Sequence, residues 1–241
     1  MPSVNTKRIE EAATTALKAA LLRCPILGSY IDSNDKTPSW DGTVFVYKSE
    51  ETRKDNLAGR VPIQIKGTEK VIVSDTASFS CSVADLKNYY KDGGCVFFLI
   101  SIDLNSGNSR IFYKTMLVVD LDKIIKGSGK QKTITIHLNL FPSEANEISS
   151  IFMQFTDNVH KQMGFIGKDI PTFESLEANG AEITSLTFTA SGIGLTWNDL
   201  PKFLSTHDFY LYAKVKGLNI DVPIDKVTKA IVSKPVNGEV R

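Results

Sequence analysis

Apolar residues recur at helical spacing in five segments of the chain. The first and longest segment carries alanine, leucine and isoleucine on one face, and Asn5 or Thr6 can cap its first turn. A later segment has Ile148, Ile151 and Phe155 on one side, which also indicates an amphipathic helix. The pattern predicts helices at residues 6–23, 82–94, 120–127, 147–163 and 197–204.

Alternating apolar and polar residues predict strands, and one continuous apolar run predicts a strand that is covered on both faces. That run, CVFFLISID, begins at Cys95. The first two predicted strands should form a hairpin with a long polar loop. Pro62 should lie near a strand start or on an edge, because proline cannot donate to a neighbouring strand. The predicted strands are 42–48, 60–68, 95–103, 110–119, 132–140, 181–190 and a hairpin within 208–224.

The character of the sequence changes after Pro142, which is where we expect a domain boundary. Residues 1–142 mix helices with strands and are predicted to form an α/β domain. Residues 143–241 begin with an amphipathic helix and continue mainly with β patterns, so they are predicted to form an accessory α+β subdomain.

Composition and charge narrow the class of protein. Of the 241 residues, 42% are hydrophobic and 23% are charged, and the net charge is +1. Any nucleic-acid contact must therefore come from a local basic patch. No apolar run approaches the ~20 residues that span a bilayer, and charges near the N-terminus argue against a signal peptide. Cys24, Cys81 and Cys95 have no CxxC spacing, which predicts reduced, buried thiols in a cytoplasmic protein.

The segment GRVPIQIKGT places two polar side chains on the strand face opposite its apolar residues. Gln64 and Lys66 are two residues apart, so both project to one side. Asp41 precedes the neighbouring strand, in PSWDG, and pairing of the two strands would bring it close to them. Carboxylate and amide oxygens suit Mg²⁺, and an ammonium group can stabilise a phosphate or help to activate water. The pattern therefore indicates phosphodiester hydrolysis.

These residues resemble the motif of the PD-(D/E)XK nuclease superfamily. In that superfamily an Asp is followed, at the next strand, by Glu, Asp or sometimes Gln, then one spacer residue and a Lys. Asp41 and the segment Gln64-Ile65-Lys66 match this pattern. The phrases TPSWDGTVFVY and GRVPIQIKGT are also similar to an uncharacterised bacterial domain group associated with anti-phage defence, over about residues 1–140. The resemblance implies a restriction-endonuclease-like core, a mixed β-sheet flanked by helices.

The resemblance further implies a Mg²⁺- or Mn²⁺-dependent DNA endonuclease that acts as an effector of antiviral defence. Asp41, Gln64 and a glutamate of the first helix would bind the metal, with the Ile65 carbonyl as an extra ligand. Lys66 would stabilise the attacked phosphate or activate water. Gln64 stands where the superfamily more often has an acid. A degenerate site that does not cleave therefore remains an alternative.

Two glutamates of the first helix compete for the metal-binding role. Glu10 lies at the border of the apolar face, with Ala13 and Leu17 on the same side, whereas Glu11 points nearly opposite. A ligand must reach inward to the sheet, so Glu10 is the candidate. Acidic residues in a first turn are also favoured by the helix dipole, so a structural role is open for both.

The other candidate residues have structural alternatives as well. Asp41 before a glycine is a common turn pair, and Gln64 and Lys66 also suit the solvated face of an edge strand. The lysines of KIIKGSGKQK could hold a phosphate backbone, although a charge run is more often a solvated turn. Trp40 suits either a wall of the site or a packing anchor.

Two classes of function follow from the sequence. In the first, the chain is a nuclease that acts on DNA rather than RNA, forms a homo-oligomer, and uses residues 143–241 to recognise a protein partner or activator. In the second, a nuclease fold binds nucleic acid or a protein without cutting, which Gln64 and the near-neutral charge favour. Another metal-dependent hydrolase on the same scaffold is a third, remote class. Neither of the first two classes involves a membrane.

Overall fold

The computed structural model describes residues 4–31, 39–196 and 198–227. Within those ranges, no helix has both the length and the hydropathy needed to cross a bilayer. The helices are α1 (Val4–Leu21), α2 (Val83–Lys91), α3 (Val118–Gly127), α4 (Ala145–Gln162), α5 (Phe173–Ala178) and α6 (Leu200–Thr206). The strands are β1 (Leu27–Ile31), β2 (Gly42–Tyr47), β3 (Leu57–Thr68), β4 (Thr76–Ser82), β5 (Gly94–Ile102), β6 (Ser109–Leu117), β7 (Thr133–Leu140), β8 (Ile183–Thr187), β9 (Phe209–Val215) and β10 (Asp221–Val227).

Seven strands form a mixed sheet in the order β1-β2-β3-β5-β6-β7-β4. β1, β2 and β3 form an antiparallel meander, and the predicted hairpin of β2 and β3 is confirmed. The chain then passes through β4 and α2 and enters β5, which lies parallel to β3. A smaller antiparallel sheet has the order β10-β9-β8. The predicted class, an α/β protein with a mixed sheet flanked by helices, is confirmed.

The two faces of the large sheet are covered by different helices. Ile63 and Ile65 of β3, together with Val96 of β5, belong to a core that α1 and α4 complete. Phe97 and Leu99 of β5 point the other way, into a second core with α2 and α3. Because both faces are covered, β5 is buried along its whole length, as its apolar run predicts.

α1 packs most closely on β3 at Gly67, where the strand has no side chain. A Cβ at this position would lie 2.6 Å from Ile9 Cγ2 and 3.0 Å from the Ile9 carbonyl oxygen. Ala13, one turn further along α1, would be 3.2 Å away. The first turns of α1 therefore lie level with the last residues of β3.

The main hydrophobic core crosses the boundary expected at Pro142. Ile148, Phe152 and Phe155 of α4 are buried in the same cluster as the strands of the large sheet. Tyr212 of β9 joins that cluster as well. Residues on both sides of the expected boundary therefore share one core.

β1, β4 and α5 were not predicted from the sequence. β1 has five residues and lies in a segment rich in turn formers, while β4 alternates mainly between serine and small side chains. Pro62 lies in the middle of β3 and not near its start, at a point where β3 is still an edge on the β5 side. The proline is tolerated because pairing with β5 begins only at Ile63, so its missing donor costs no ladder bond.

Replacing Gly67 by alanine should destabilise the protein, because the new Cβ would collide with backbone as well as side-chain atoms of Ile9. We expect the free energy of unfolding to fall by about 1–3 kcal/mol, measured by urea denaturation. Gly127→Ala is the matched control, since nothing lies within 4 Å of a Cβ there and alanine favours the helix. Equal stability of the two variants would show that α1 does not pack closely on β3.

His207 ends α6 in a half-buried position. Its ring stacks on Phe203, with 4.0 Å between the ring centres, and its Nδ1 lies 3.2 Å from the Phe203 carbonyl oxygen. Burial lowers the pKa of His207 and outweighs the opposite effect of the Glu147 and Asp208 carboxylates.

The free energy of unfolding should therefore decrease as the pH falls through about 6.5, the ordinary histidine pKa. The unfolded chain takes up the proton first, and the loss ends below the lowered pKa of the folded state. Urea midpoints measured at a series of pH values test this. His207→Phe keeps the stacking and should remove the pH dependence, whereas His160→Gln, at an exposed position of α4, should keep it.

Candidate functional site

β3 exchanges one partner strand for another in the middle of its length. It pairs with β2 from Leu57 to Ile63, and with β5 from Ile63 to Thr68. Asp41, the residue before β2, continues the contact on the β2 side. Its N–H donates to the Ile63 carbonyl at 3.0 Å, and its carboxylate accepts the Ile65 N–H at 2.7 Å. Two bonds to the β3 backbone thus fix the position of the Asp41 carboxylate.

Gln64 is buried on the face of β3 that points towards α2, with 4% of its surface exposed. Its Nε2 donates to Asp41 Oδ2 and lies 3.4 Å from the Ile65 carbonyl oxygen. Its Oε1 accepts the Tyr89 hydroxyl at 3.4 Å. Burial raises the pKa of Tyr89 well above its usual range, so the phenol stays protonated and can donate. Gln64 therefore belongs to a buried polar network and not to a solvated strand face.

Lys66 follows on the same face of β3 and is exposed to solvent. Its ammonium group lowers the pKa of the Cys81 thiol, whereas burial and the Asp85 carboxylate raise that pKa. Burial, as the larger of those effects, raises the pKa of Cys81 to about 11. The structure thus places an exposed positive charge next to Gln64 on the same strand face.

Glu10 is not joined to the other candidate residues by a hydrogen bond or ion pair among the described residues. α1 packs on the opposite face of the sheet from α2, and Glu10 is exposed there. Its neighbour Ile9 contacts Gly67, so the Glu10 carboxylate can reach the Asp41 side only around the edge of β3. Glu11 lines a groove with Leu104 on the side of β5 and β6, which places the two glutamates on different flanks of α1.

The role of Tyr89 was not predicted from the sequence. The sequence indicates that one of Tyr89 and Tyr90 is a core residue, and in the structure Tyr89 is the buried one. The sequence carries no signal that its hydroxyl reaches Gln64, because that contact depends on how α2 lies across β3. Trp40 packs on the Tyr89 ring with 6.2 Å between ring centres, which favours its interpretation as a packing anchor.

The oxygen atoms at this site fit a hard divalent cation only in part. Among the described residues, no three His, Cys, Asp or Glu side chains form a group that could hold a metal. The available donors are the Asp41 carboxylate, the Gln64 amide oxygen and the Ile65 carbonyl. Gln64 presents its nitrogen to Asp41, but a half-turn of the amide would present its oxygen, and Tyr89 could then accept instead of donate. Mg²⁺ sites with one carboxylate and several waters are common.

The first two lysines of KIIKGSGKQK, Lys123 and Lys126, lie in α3, and both form ion pairs. Lys123 forms an ion pair with Asp225. Lys126 lies 2.8 Å from Asp122 and 3.1 Å from Asp169. Lys130 and Lys132 follow α3 in an exposed turn, which agrees with the interpretation of this segment as a solvated turn.

Comparisons of the chain with protein-family models, with curated proteins and with solved structures gave no match.

Gln64→Glu tests whether positions 41 and 64 can share a cation. The change turns a donor into a second carboxylate against Asp41, so without divalent ions we expect the free energy of unfolding to fall by about 1–3 kcal/mol. Mg²⁺ or Mn²⁺ should restore much of that stability, which melting temperatures in EDTA and in each metal would show. Gln64→Met removes the donor without adding charge and should not respond to metal. An equal response of both variants would contradict a shared cation site.

Proposed function

We propose that this chain hydrolyses DNA phosphodiester bonds in a divalent-metal-dependent reaction, as an effector of bacterial antiviral defence. The observation that carries the proposal is the direct contact of Asp41 with Gln64 and the Ile65 backbone, with the exposed Lys66 beside them on the same strand face. The choice of DNA and of defence comes from the sequence resemblance.

The order of the elements also supports the proposal. α1, the meander β1 to β3, α2 and the parallel strand β5 follow the superfamily's order of helix, three strands, helix and strand, with β4 as an addition. We therefore propose a restriction-endonuclease-like core. Cys24, Cys81 and Cys95 are free and buried, which supports a cytoplasmic location. A homo-oligomer and a partner or activator for residues 143–241 complete the proposal.

In this function Asp41 and Gln64 would serve as held ligands for the metal, and Lys66 would supply a positive charge that a phosphate can reach. Asp41 supplies a carboxylate that backbone donors hold in place. Gln64 supplies an amide that Tyr89 can hold in either of its two orientations, since the phenol can donate to the amide oxygen or accept from the amide nitrogen. A bound Mg²⁺ would polarise the phosphate and lower the pKa of a coordinated water. Lys66 lies in solvent, where a phosphate can approach it, and its charge would stabilise the negative charge that develops there.

A second candidate function is a nuclease fold that binds without cutting. Asp41 Oδ2 already accepts N–H groups from Gln64 and Ile65, as expected of a structural carboxylate. Glu10, the expected additional acid, lies on the helix across the sheet. In this function Lys66 would contribute only its charge to a bound phosphate backbone.

Incubating the purified protein with plasmid and linear DNA in Mg²⁺, Mn²⁺ or EDTA tests the proposal. We expect metal-dependent loss of intact DNA, and a decrease of about 100-fold or more in Lys66→Ala and Asp41→Asn. Lys87→Ala, at an exposed lysine of α2, is the matched control and should retain activity.

Equal cleavage by the wild-type protein and both site variants would contradict the assignment of these residues. DNA binding without cleavage in every metal, weakened by Lys66→Ala, would support the non-cleaving module.

A further inference from the structure

Ser39 has a backbone conformation that residues with a side chain avoid. Its φ angle is 73°, and no other non-glycine residue in the described part of the chain has a positive φ. The left-handed region is unfavourable for such a residue, because Cβ crowds the carbonyl oxygen. Strain of this kind persists where surrounding contacts fix it, and it is common at functional sites. Ser39 stands two positions before Asp41.

The contacts that hold Ser39 come from one helix. Its hydroxyl donates to Asp85 Oδ1 at 2.7 Å and accepts from Asn88 Nδ2 at 2.8 Å. Asp85 and Asn88 are three residues apart on α2, so they lie side by side on the same face. Both hydrogen-bonding functions of the hydroxyl are used, and one of the two partners is a carboxylate, which strengthens its bond.

The next two residues are anchored in turn. The Trp40 ring meets the edge of Tyr89, whose hydroxyl donates to Gln64. Asp41 is then bound to the β3 backbone at Ile63 and Ile65. Three consecutive residues are therefore attached to α2, to the Tyr89 ring and to β3, so a displacement at the first is transmitted to the third.

We propose that Ser39 is a positioning residue of the candidate site. Its hydroxyl, held between Asp85 and Asn88, keeps the backbone of residues 39–41 in the strained conformation that brings the Asp41 carboxylate to Gln64. The strain provides the reason for the effect: without the two hydrogen bonds, the backbone relaxes towards a negative φ and turns Asp41 away from β3. For its catalytic consequence the proposal rests on the proposed nuclease function, but its structural part does not.

The structural part is tested without activity, by Trp40 fluorescence in a Trp197→Phe background, which leaves one tryptophan. Ser39→Ala should shift the Trp40 emission to the red and make acrylamide quenching about twofold faster, because the indole leaves Tyr89. Ser80→Ala, at an exposed serine of β4, is the matched control and should change neither quantity. Asp85→Asn keeps an acceptor for the hydroxyl and should resemble the parent.

The catalytic part is tested by DNA-cleavage kinetics of the same variants. Ser39→Ala should lower kcat about 10- to 100-fold with little change in KM, because the displaced carboxylate is needed for chemistry and not for DNA binding. Asp85→Asn should retain most of the activity. A purely structural role would lower both stability and DNA binding and would not give this separation of kcat from KM.

The two measurements separate failure of this inference from failure of the proposed function. If acrylamide quenches Trp40 no faster in Ser39→Ala than in the parent, the positioning role is overturned, whatever the cleavage result. A normal kcat in Ser39→Ala overturns it as well. A Trp40 response in Ser39→Ala, together with a wild-type protein that cleaves no DNA, supports the structural coupling and counts against the nuclease function.

Discussion

A strand that loses its neighbour partway along a sheet leaves backbone donors that another group must satisfy. In this protein the donor is the Ile65 N–H, which lies beyond the first residue of β2, and the Asp41 carboxylate accepts its hydrogen bond. A carboxylate is a stronger acceptor than the carbonyl it replaces. Main-chain hydrogen bonding on β3 therefore favours the meeting of Asp41 with Gln64, and the rest of the site is arranged around that contact.

The same contact is compatible with both proposed functions. Hydrogen bonds from the backbone and from Gln64 hold the carboxylate still, which is the condition for a well-placed metal ligand as well as for a structural lock. The difference between the two lies in the orientation of one amide and in whether an additional acid comes into reach. Lys66 is separate from this network and exposed, so its charge is available in either case.

α2 connects the site with the body of the protein. It contributes Tyr89 to the second core and to Gln64, and it holds Ser39 through Asp85 and Asn88. α4 completes the core on the opposite face, although it lies beyond the boundary expected from the sequence. The site is thus supported by packing from both halves of the chain, which is how a strained residue such as Ser39 can be kept in place.

The sequence by itself determined the features that depend on neighbouring residues along the chain. Side chains alternate along a strand, so Gln64 and Lys66 had to share a face. Strong apolar periodicity marked α1 and α4, and a continuous apolar run marked β5. Tertiary structure decided the rest. β1 has only five residues, and β4 consists largely of serine and threonine, so each is recognisable as a strand only from its pairing with β2 or β7. The helical phase shows which side of α1 is apolar but not which face of the sheet it covers, and for that reason the position of Glu10 relative to Asp41 could not be predicted.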